Sequence, residues 1–224
     1  LCCLFLSMKE QLSNIINNLS ESQTLAMTRL SRELQAEGKD VISLSIGEPD
    51  FDTPDFIKDA AKQAIDDNHT HYTPVPGYLE LREAISRKFK RDNNLDYAPD
   101  QIVVSTGAKH SLANISLSLL NDGDEVILPA PFWVSYFEII KLAGAKPISI
   151  PTTIDADFKV TASQIEEKIT DNTRMIWFST PCNPSGSVYS KEELESIANL
   201  LADYPNIMVV SDEIYEHINS VSYT

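Results

Sequence analysis

The sequence predicts an α/β fold in which helices cover both faces of a mostly parallel β-sheet, so that the domain has three layers. Two observations favour this fold. From about residue 102 onward, short apolar runs alternate with segments of helical periodicity. The runs are apolar throughout, which is typical of strands that are buried on both faces. Strands that alternate with helices pair in parallel, and the helices pack on the two faces of the sheet.

The elements before this alternation are mainly helical. Residues 20–37 place apolar side chains on one helical face and end at Gly38, a common helix stop. Residues 41–46 alternate between apolar side chains and serine, which predicts a half-buried strand. Thr53 is expected to cap a helix that has Pro54 at its first position, and a further helix follows.

The alternating part of the chain supplies the sheet. Its strands are predicted at residues 102–104, 126–128, 147–150, 175–179 and 207–210. Helices are expected between consecutive strands. Two of them begin at capping boxes, one formed by Thr161 with Gln164 and the other by Ser190 with Glu193.

The predicted domain organisation has three parts. Residues 8–46 are expected to form an N-terminal arm and part of a smaller domain, and residues 47–224 an incomplete large domain. Residues 1–7 are expected to be a translated upstream stretch or an artefact, because Met8 begins an ordinary-looking sequence. The last predicted strand should lie inside the sheet, yet the sequence ends soon after it, at Thr224. A truncated domain is therefore expected.

Composition narrows the classes of function. The chain has 33 acidic and 18 basic residues, and its net charge of -15 argues against a nucleic-acid backbone or an anionic membrane as a partner. No apolar run reaches the length of a transmembrane helix. Cys2, Cys3 and Cys182 match neither a disulfide framework nor a zinc site, which indicates a reducing, cytoplasmic setting without a bound metal. Cys182 is interpreted as inert, because no motif places a histidine beside it.

The segment at residues 105–109 joins a predicted strand to a helix. Gly107 lets the backbone turn tightly, and the free amides and positive dipole end of the helix that starts at Ala108 and Lys109 favour an anion such as phosphate. An ordinary strand–helix turn is the alternative. Trp133 follows the next strand, where it can stack on a flat ring beside the phosphate; its alternative is a simple core residue.

Two further strand ends carry polar side chains. Asn183 precedes a proline, which holds it extended, and its amide can donate to a phenolate oxygen. The alternative is an ordinary Asn-Pro turn. Asp212 follows the last predicted strand, and Tyr215 comes three residues later. Ligands of open α/β sheets bind outside the carboxyl ends of the strands, although an aspartate there can also simply cap the next turn.

Taken together, these groups match pyridoxal 5'-phosphate. This cofactor has a phosphate, an acidic ring hydroxyl and a basic ring nitrogen. Asp212 would hold the ring nitrogen protonated, which makes the ring an electron sink. Asn183 and Tyr215 would bond the ring oxygen.

The sequence resembles the fold type I pyridoxal-phosphate aminotransferases of class I/II, in the branch that contains the bacterial aspartate aminotransferases. The resemblance covers about residues 20–218. No one segment is specific by itself, but the order and spacing of six segments are. They are residues 45–51, 72–77, 106–109, 131–133, 183–186 and 211–215.

The resemblance implies the site residues. Gly47 would line the substrate carboxylate site through its backbone, and Trp133 and Asn183 would also meet the substrate. Tyr72 would reach the cofactor phosphate of a partner subunit, because family members are homodimers with shared sites. The cofactor-binding positions within one subunit would be Gly107, Ala108, Lys109, Trp133, Asn183, Asp212 and Tyr215.

The resemblance also implies that no catalytic residue lies in this sequence. The family's Schiff-base lysine lies in a Ser-x-x-Lys segment, which is expected beyond Thr224, and the arginine for the substrate α-carboxylate is expected further on. Lys109 is not expected to substitute for that lysine, because it lies at the phosphate position.

The resulting hypothesis is an aminotransferase that moves an amino group between an amino acid, aspartate-like by resemblance, and a 2-oxo acid. The alternatives are another pyridoxal-phosphate enzyme of this fold, such as a carbon–sulfur lyase or a synthase, an inactive gene fragment, and an aminotransferase-like regulatory domain. The polypeptide as given is expected to lack activity and to aggregate, because it exposes an unfinished sheet.

Overall fold

The chain divides into two compact units. The small unit comprises residues 23–106, and the large unit comprises residues 107–224 with residues 1–22. The predicted domain boundary after residue 46 stays a prediction. The computed structural model describes residues 12–44, 46–47 and 51–217.

Helices and strands alternate in the large unit, whereas the small unit is helical. The helices are α1 (Asn14–Asn17), α2 (Gln23–Ala36), α3 (Asp55–Asp66), α4 (Leu79–Asn93), α5 (Ala108–Leu119), α6 (Ser135–Leu142), α7 (Ala162–Glu166) and α8 (Lys191–Ala202). The strands are β1 (Glu125–Ala130), β2 (Lys146–Pro151), β3 (Thr173–Ser179) and β4 (Met208–Asp212).

The described strands form one sheet in the order β2-β1-β3-β4, and all of its pairs are parallel. Ile127 of β1 lies opposite Ile148 of β2 and Ile176 of β3. A helix separates each strand from the next in sequence, as parallel pairing requires. The predicted parallel sheet is therefore confirmed.

The strands are apolar throughout because each face of the sheet has its own core. Val126, Ile127 and Leu128 of β1 are each 0% exposed. Val126 and Leu128 pack with residues of α5 and α6, whereas Ile127 packs with residues of α7 and α8. Burying each of these side chains contributes about 1.5–3 kcal/mol. The two cores confirm the three-layer arrangement.

Two predicted strands are wrong. Residues 41–44 form no strand, and Ile42 and Leu44 are 84% and 90% exposed. Residues 102–104 form no strand either: the Val104 amide donates to the carbonyl of Pro76 in a loop. A hydrophobic pattern indicates which side chains are suited to burial, but a strand exists only where a neighbour completes its hydrogen-bond ladder.

The helix starts were predicted with mixed success. Both capping boxes are present, with Thr161 and Ser190 accepting the backbone amides of Gln164 and Glu193. Thr53 does not cap α3; the N-cap is Pro54, without a side-chain bond. Among the described residues β4 is an edge strand, as expected for an unfinished sheet, and its place inside a complete sheet stays a prediction.

Hydrogen bonds and close packing fix the loops of the small unit. Arg82 of α4 donates to the carbonyls of Gly77 and Pro99, at 3.2 and 2.8 Å. Gly77 has a φ of +94°, and a Cβ there would lie 2.8 Å from the Cβ of Val104. Only glycine satisfies both conditions, so this loop has a defined path.

Candidate active site

The candidate site lies at the carboxyl edge of the sheet in the large unit. β1, β3 and β4 are parallel, so the segments that follow them emerge on the same side. The segment after β1 carries Trp133, that after β3 carries Asn183, and β4 itself ends at Asp212. The helix α5 belongs to the same unit and begins at Ala108.

The start of α5 has the features of an anion site. Gly107 is its N-cap, with a φ of +83°, a conformation that glycine adopts without strain. A Cβ at this position would meet nothing within 4 Å, so the space beside the backbone is open. The first-turn amides of Ala108 and Lys109 have no acceptor within the helix, and the helix dipole adds positive potential. An anion at this point would meet two donors and a partial positive charge.

Lys109 and Trp133 are brought together by the fold. The Lys109 ammonium lies 4.9 Å from the centroid of the Trp133 ring, a cation–π contact. Trp133 is half-buried and packs against the core that includes α5 and α6, while Lys109 is exposed. The indole therefore has one part anchored in the core and another part available to a ligand.

Asn183 and Tyr215 form a hydrogen-bonded pair. The Asn183 side-chain amide donates to the Tyr215 hydroxyl at 2.8 Å, although the two residues are 32 positions apart. Both are half-buried. The amide has a second N–H and the phenol keeps its own O–H, so the pair retains donors for a further acceptor.

Asp212 is fixed through both of its carboxylate oxygens. The Tyr136 hydroxyl donates to Oδ2 at 2.7 Å, and the Ile214 amide donates to Oδ1 at 3.3 Å. Asp212 is only half-buried, so the carboxylate keeps one open side. This contact combines the two readings made from the sequence: the aspartate caps the following turn and also presents an acceptor at the strand end.

Sequence reasoning missed Tyr136. It lies in the first turn of α6, three residues after Trp133, and it is 2% exposed. Burial, and then the hydrogen bond to Asp212 and its negative charge, raise the pKa of Tyr136 well above its usual range. The only available signal was a polar-tipped residue at a position that the helical pattern assigns to the core, since a buried tyrosine hydroxyl usually requires a partner.

Two predicted residues belong to the small unit. Gly47 is exposed, and a Cβ there would meet nothing within 4 Å. Tyr72 is fully exposed. Their roles toward substrate and toward a partner subunit stay predictions.

The donor set of the large unit fits pyridoxal 5'-phosphate. The α5 N-terminus suits a phosphate, Trp133 offers a flat surface, the Asn183–Tyr215 pair offers donors, and Asp212 offers an acceptor. This set is also complementary in charge, because the anionic end of the ligand would lie at the helix start and its protonated nitrogen at the carboxylate.

Three further observations concern metal ions, membranes and Cys182. Among the residues that the structure describes, no cluster of three or more His, Cys, Asp or Glu is arranged to hold a metal ion. Within the same residues, no helix has the length and apolar character needed to cross a membrane. Cys182 is half-buried, and its thiol donates to the Pro131 carbonyl at 3.4 Å.

Comparison with protein families gives one match over most of the chain. The family model "Aminotransferase class I and II" matches residues 39–222. An aspartate aminotransferase of Bacillus sp. strain YM-2 is 49% identical over 94% of the chain and 54% of the relative. An aspartate/prephenate aminotransferase of Nitrosomonas europaea is 49% identical over 93% of the chain and 52% of the relative.

A solved structure has the same fold. The aspartate aminotransferase of Thermus thermophilus with maleate superposes with a TM-score of 0.90, at 38% identity. The match covers 94% of the chain and 55% of that structure. The chain thus spans about half the length of the relatives that it matches.

Proposed function

Because this chain belongs to the class I and II aminotransferases, we propose that the protein transfers an amino group between an amino acid and a 2-oxo acid with pyridoxal 5'-phosphate. The observation that carries the proposal is Asp212, a carboxylate held by two donors at the end of β4. The bound cofactor would supply an electron sink for the substrate's α-carbon.

Different residues of the large unit would bind different parts of this cofactor. The amides of Ala108 and Lys109 would bind its phosphate, and Trp133 would pack on the ring and limit its rotation. The Asn183 amide and the Tyr215 hydroxyl would hold the ring oxygen. The Asp212 carboxylate would accept a hydrogen bond from the protonated ring nitrogen and thereby keep that nitrogen protonated.

We propose a dicarboxylic amino acid such as aspartate as the donor and 2-oxoglutarate as the acceptor. The name of the Bacillus relative supports aspartate, and the Thermus relative is described with maleate, a dicarboxylate. Prephenate is a second acceptor to test, since it appears in the name of the Nitrosomonas relative. The lysine and the arginine of the family motif stay predictions for a segment after Thr224.

The test uses the protein at its full natural length. Purified protein should bind pyridoxal 5'-phosphate, give a cofactor absorbance band that the free protein lacks, and convert aspartate and 2-oxoglutarate to oxaloacetate and glutamate. Wild-type protein that neither binds the cofactor nor exchanges amino groups would contradict the proposal. Cofactor binding with release of a sulfur product or with condensation would instead identify a lyase or a synthase.

Asp212→Asn is the sharpest variant, because it keeps the shape and removes the charge. We expect a loss of about 10²–10⁴ in kcat with folding retained, since electrostatic stabilisation of this size is common for one preorganised group. Asp203→Asn serves as the matched control: Asp203 is exposed and precedes β4, at the opposite edge of the sheet from Asp212, so its substitution should change kcat by less than about twofold. An Asp212→Asn protein of normal activity would exclude the proposed role.

We also propose a homodimer in the cytoplasm, in which Tyr72 of one subunit reaches the phosphate site of the other. The full exposure of Tyr72 supports this, because a tyrosine that binds a partner subunit must be accessible in the single chain. Sedimentation of the full-length protein tests the dimer. Mixing inactive Tyr72→Phe and Asp212→Asn subunits tests the sharing: activity should return in the mixed dimer, where one site is intact.

A further inference from the structure

We propose that Tyr136 is a positioning residue that fixes the Asp212 carboxylate for the ring nitrogen of the cofactor. This inference rests on the proposed function. Tyr136 would not contact the cofactor or the substrate, and its hydroxyl would act only through Asp212. The rings of Trp133 and Trp177 hold the Tyr136 ring in place.

The contact itself has the geometry of a strong hydrogen bond. The Tyr136 hydroxyl and Asp212 Oδ2 are 2.7 Å apart, a distance typical of a hydroxyl that donates to an ionised carboxylate. The Ile214 amide donates to the other oxygen. With one donor on each oxygen, both the direction and the plane of the carboxylate are set.

The phenol cannot follow a moving carboxylate. The Tyr136 ring lies edge-on to Trp133, at 5.7 Å between centroids, and edge-on to Trp177, at 5.6 Å. Trp177 of β3 is 1% exposed and Tyr136 is 2% exposed, so both rings are locked in the core. The position of the Tyr136 hydroxyl is therefore fixed by packing, and the Asp212 carboxylate orients toward it.

The same contacts tie the two ligand-facing groups to each other. Trp133, the proposed plate for the ring, touches Tyr136, and Tyr136 bonds Asp212. The Tyr136 side chain thus sets the distance between the Trp133 ring and the Asp212 carboxylate. Because the pKa of Tyr136 is raised by burial and by Asp212, the phenol keeps its proton and stays a donor to Asp212.

The test measures the dissociation constant of pyridoxal 5'-phosphate for the full-length protein, by titration of the apoprotein. Tyr136→Phe removes the hydroxyl at constant ring size. We expect the dissociation constant to rise about tenfold, the loss typical of one charge-assisted hydrogen bond. Tyr189→Phe is the matched control, because Tyr189 is also buried and its hydroxyl accepts the Val160 amide without touching Asp212. It should change the dissociation constant by less than about twofold.

A double-mutant cycle separates positioning from a general effect on the fold. In an Asp212→Asn background the hydrogen bond to an ionised oxygen is gone, so adding Tyr136→Phe should change the dissociation constant by less than about twofold. An equal effect of Tyr136→Phe in both backgrounds, or wild-type affinity in the single variant, would overturn the positioning role while the proposed function stands. Wild-type protein that does not bind the cofactor would overturn both.

The variant can be unstable without its cofactor, and a second measurement covers that case. Tyr136→Phe would then be purified with pyridoxal 5'-phosphate, and the rate of cofactor loss after dilution would be followed. We expect loss about tenfold faster than from the wild type, because affinity changes of this kind lie mostly in dissociation rates. A variant that does not fold even with the cofactor would show a purely structural role and would overturn the proposal.

Discussion

At the scale of single residues, the site depends on Asp212 and the partner that the fold brings to it. Tyr136 is 76 positions earlier in the chain, and its hydroxyl reaches Asp212 only because the fold of the large unit brings the start of α6 to the end of β4. Charge and burial act together on this pair. The phenol is protected from ionisation by the low polarity around it and by the neighbouring carboxylate.

The raised pKa of Tyr136 predicts a loss of stability in alkali. Below the unfolded tyrosine pKa of about 10, the phenol is protonated in both states, and the contribution of Tyr136 to stability does not change with pH. Above it, the unfolded chain releases the proton while the folded chain keeps it, so the free energy of unfolding falls as the pH rises. Urea unfolding between pH 8 and about 10.5 should show this fall.

The control for this prediction is the phenylalanine variant. Tyr136→Phe should unfold with a shallower dependence on pH above about pH 10, because its titrating group is gone. Some dependence should remain, since the pKa of Tyr189 is also raised by burial. An unchanged slope would show that Tyr136 ionises as readily in the folded protein as in the unfolded chain.

At the scale of elements, the sequence predicts a helix start correctly where the capping hydrogen bonds join residues that are close in the chain. Ser190 and Glu193 close the start of α8 within four residues: the serine oxygen accepts the Glu193 amide at 3.2 Å, and a Glu193 carboxylate oxygen accepts the Ser190 amide. The predicted strands at 41–46 and 102–104 are wrong in the described residues 41–44, 46 and 102–104, because a strand also needs a pairing partner, which a local pattern does not supply.

Ser190→Ala should lower the stability of the protein by about 1 kcal/mol, since it leaves a first-turn amide of α8 without its cap. Ser163→Ala is the matched control: Ser163 is exposed in the first turn of α7 and is not its cap. That change should alter the free energy of unfolding by less than about 0.5 kcal/mol. Denaturant unfolding of both variants makes the comparison, and equal effects would argue against the capping role.

Glu193 predicts a second pH effect, with the opposite sign. The Ser190 amide, and then Lys159, lower the pKa of Glu193. Its contribution is therefore complete above the unfolded glutamate pKa of about 4.3, and it is lost as the pH falls through the folded pKa. Glu193→Gln keeps the acceptor oxygen and removes the charge, so its free energy of unfolding should depend less on pH between about 6 and 3. Parallel curves for the two proteins would contradict this.

At the scale of the whole molecule, the sheet has a protected centre and an open side. β1 is buried on both faces, whereas β4 pairs only with β3 among the described strands and leaves Met208 and Val209 38% and 50% exposed. An edge strand with apolar side chains and free backbone groups can pair with another chain. The large unit thus combines a buried core with an exposed edge strand that can pair with another chain.

This arrangement predicts that the 224-residue polypeptide associates with itself. Val209→Lys should reduce the associated fraction, because a lysine on an edge strand disfavours edge-to-edge pairing. Leu117→Lys is the control for added charge alone, since Leu117 is 60% exposed on α5 and lies away from the sheet edge. Sedimentation velocity at several concentrations measures the effect. A wild-type polypeptide that stays monomeric would contradict the prediction.

The sequence by itself determined the features that depend on local or repetitive patterns. These are the parallel sheet with helices on two faces, the capping boxes, the glycine turn at residue 107 and the family, which the order of its motifs indicated. Each follows from neighbours in the chain or from a period in the pattern, so no knowledge of distant contacts was required.

The tertiary structure alone decided which groups meet and which elements pair. The hydrogen bond between Tyr136 and Asp212, the Lys109 ammonium beside Trp133, and the edge position of β4 all join segments that are far apart in sequence. The same holds for residues 102–104, which have the composition of a strand but belong to no β-ladder among the described residues. The physical reason is that hydrogen bonds and ring contacts depend on distance in space, which sequence patterns do not specify between distant segments.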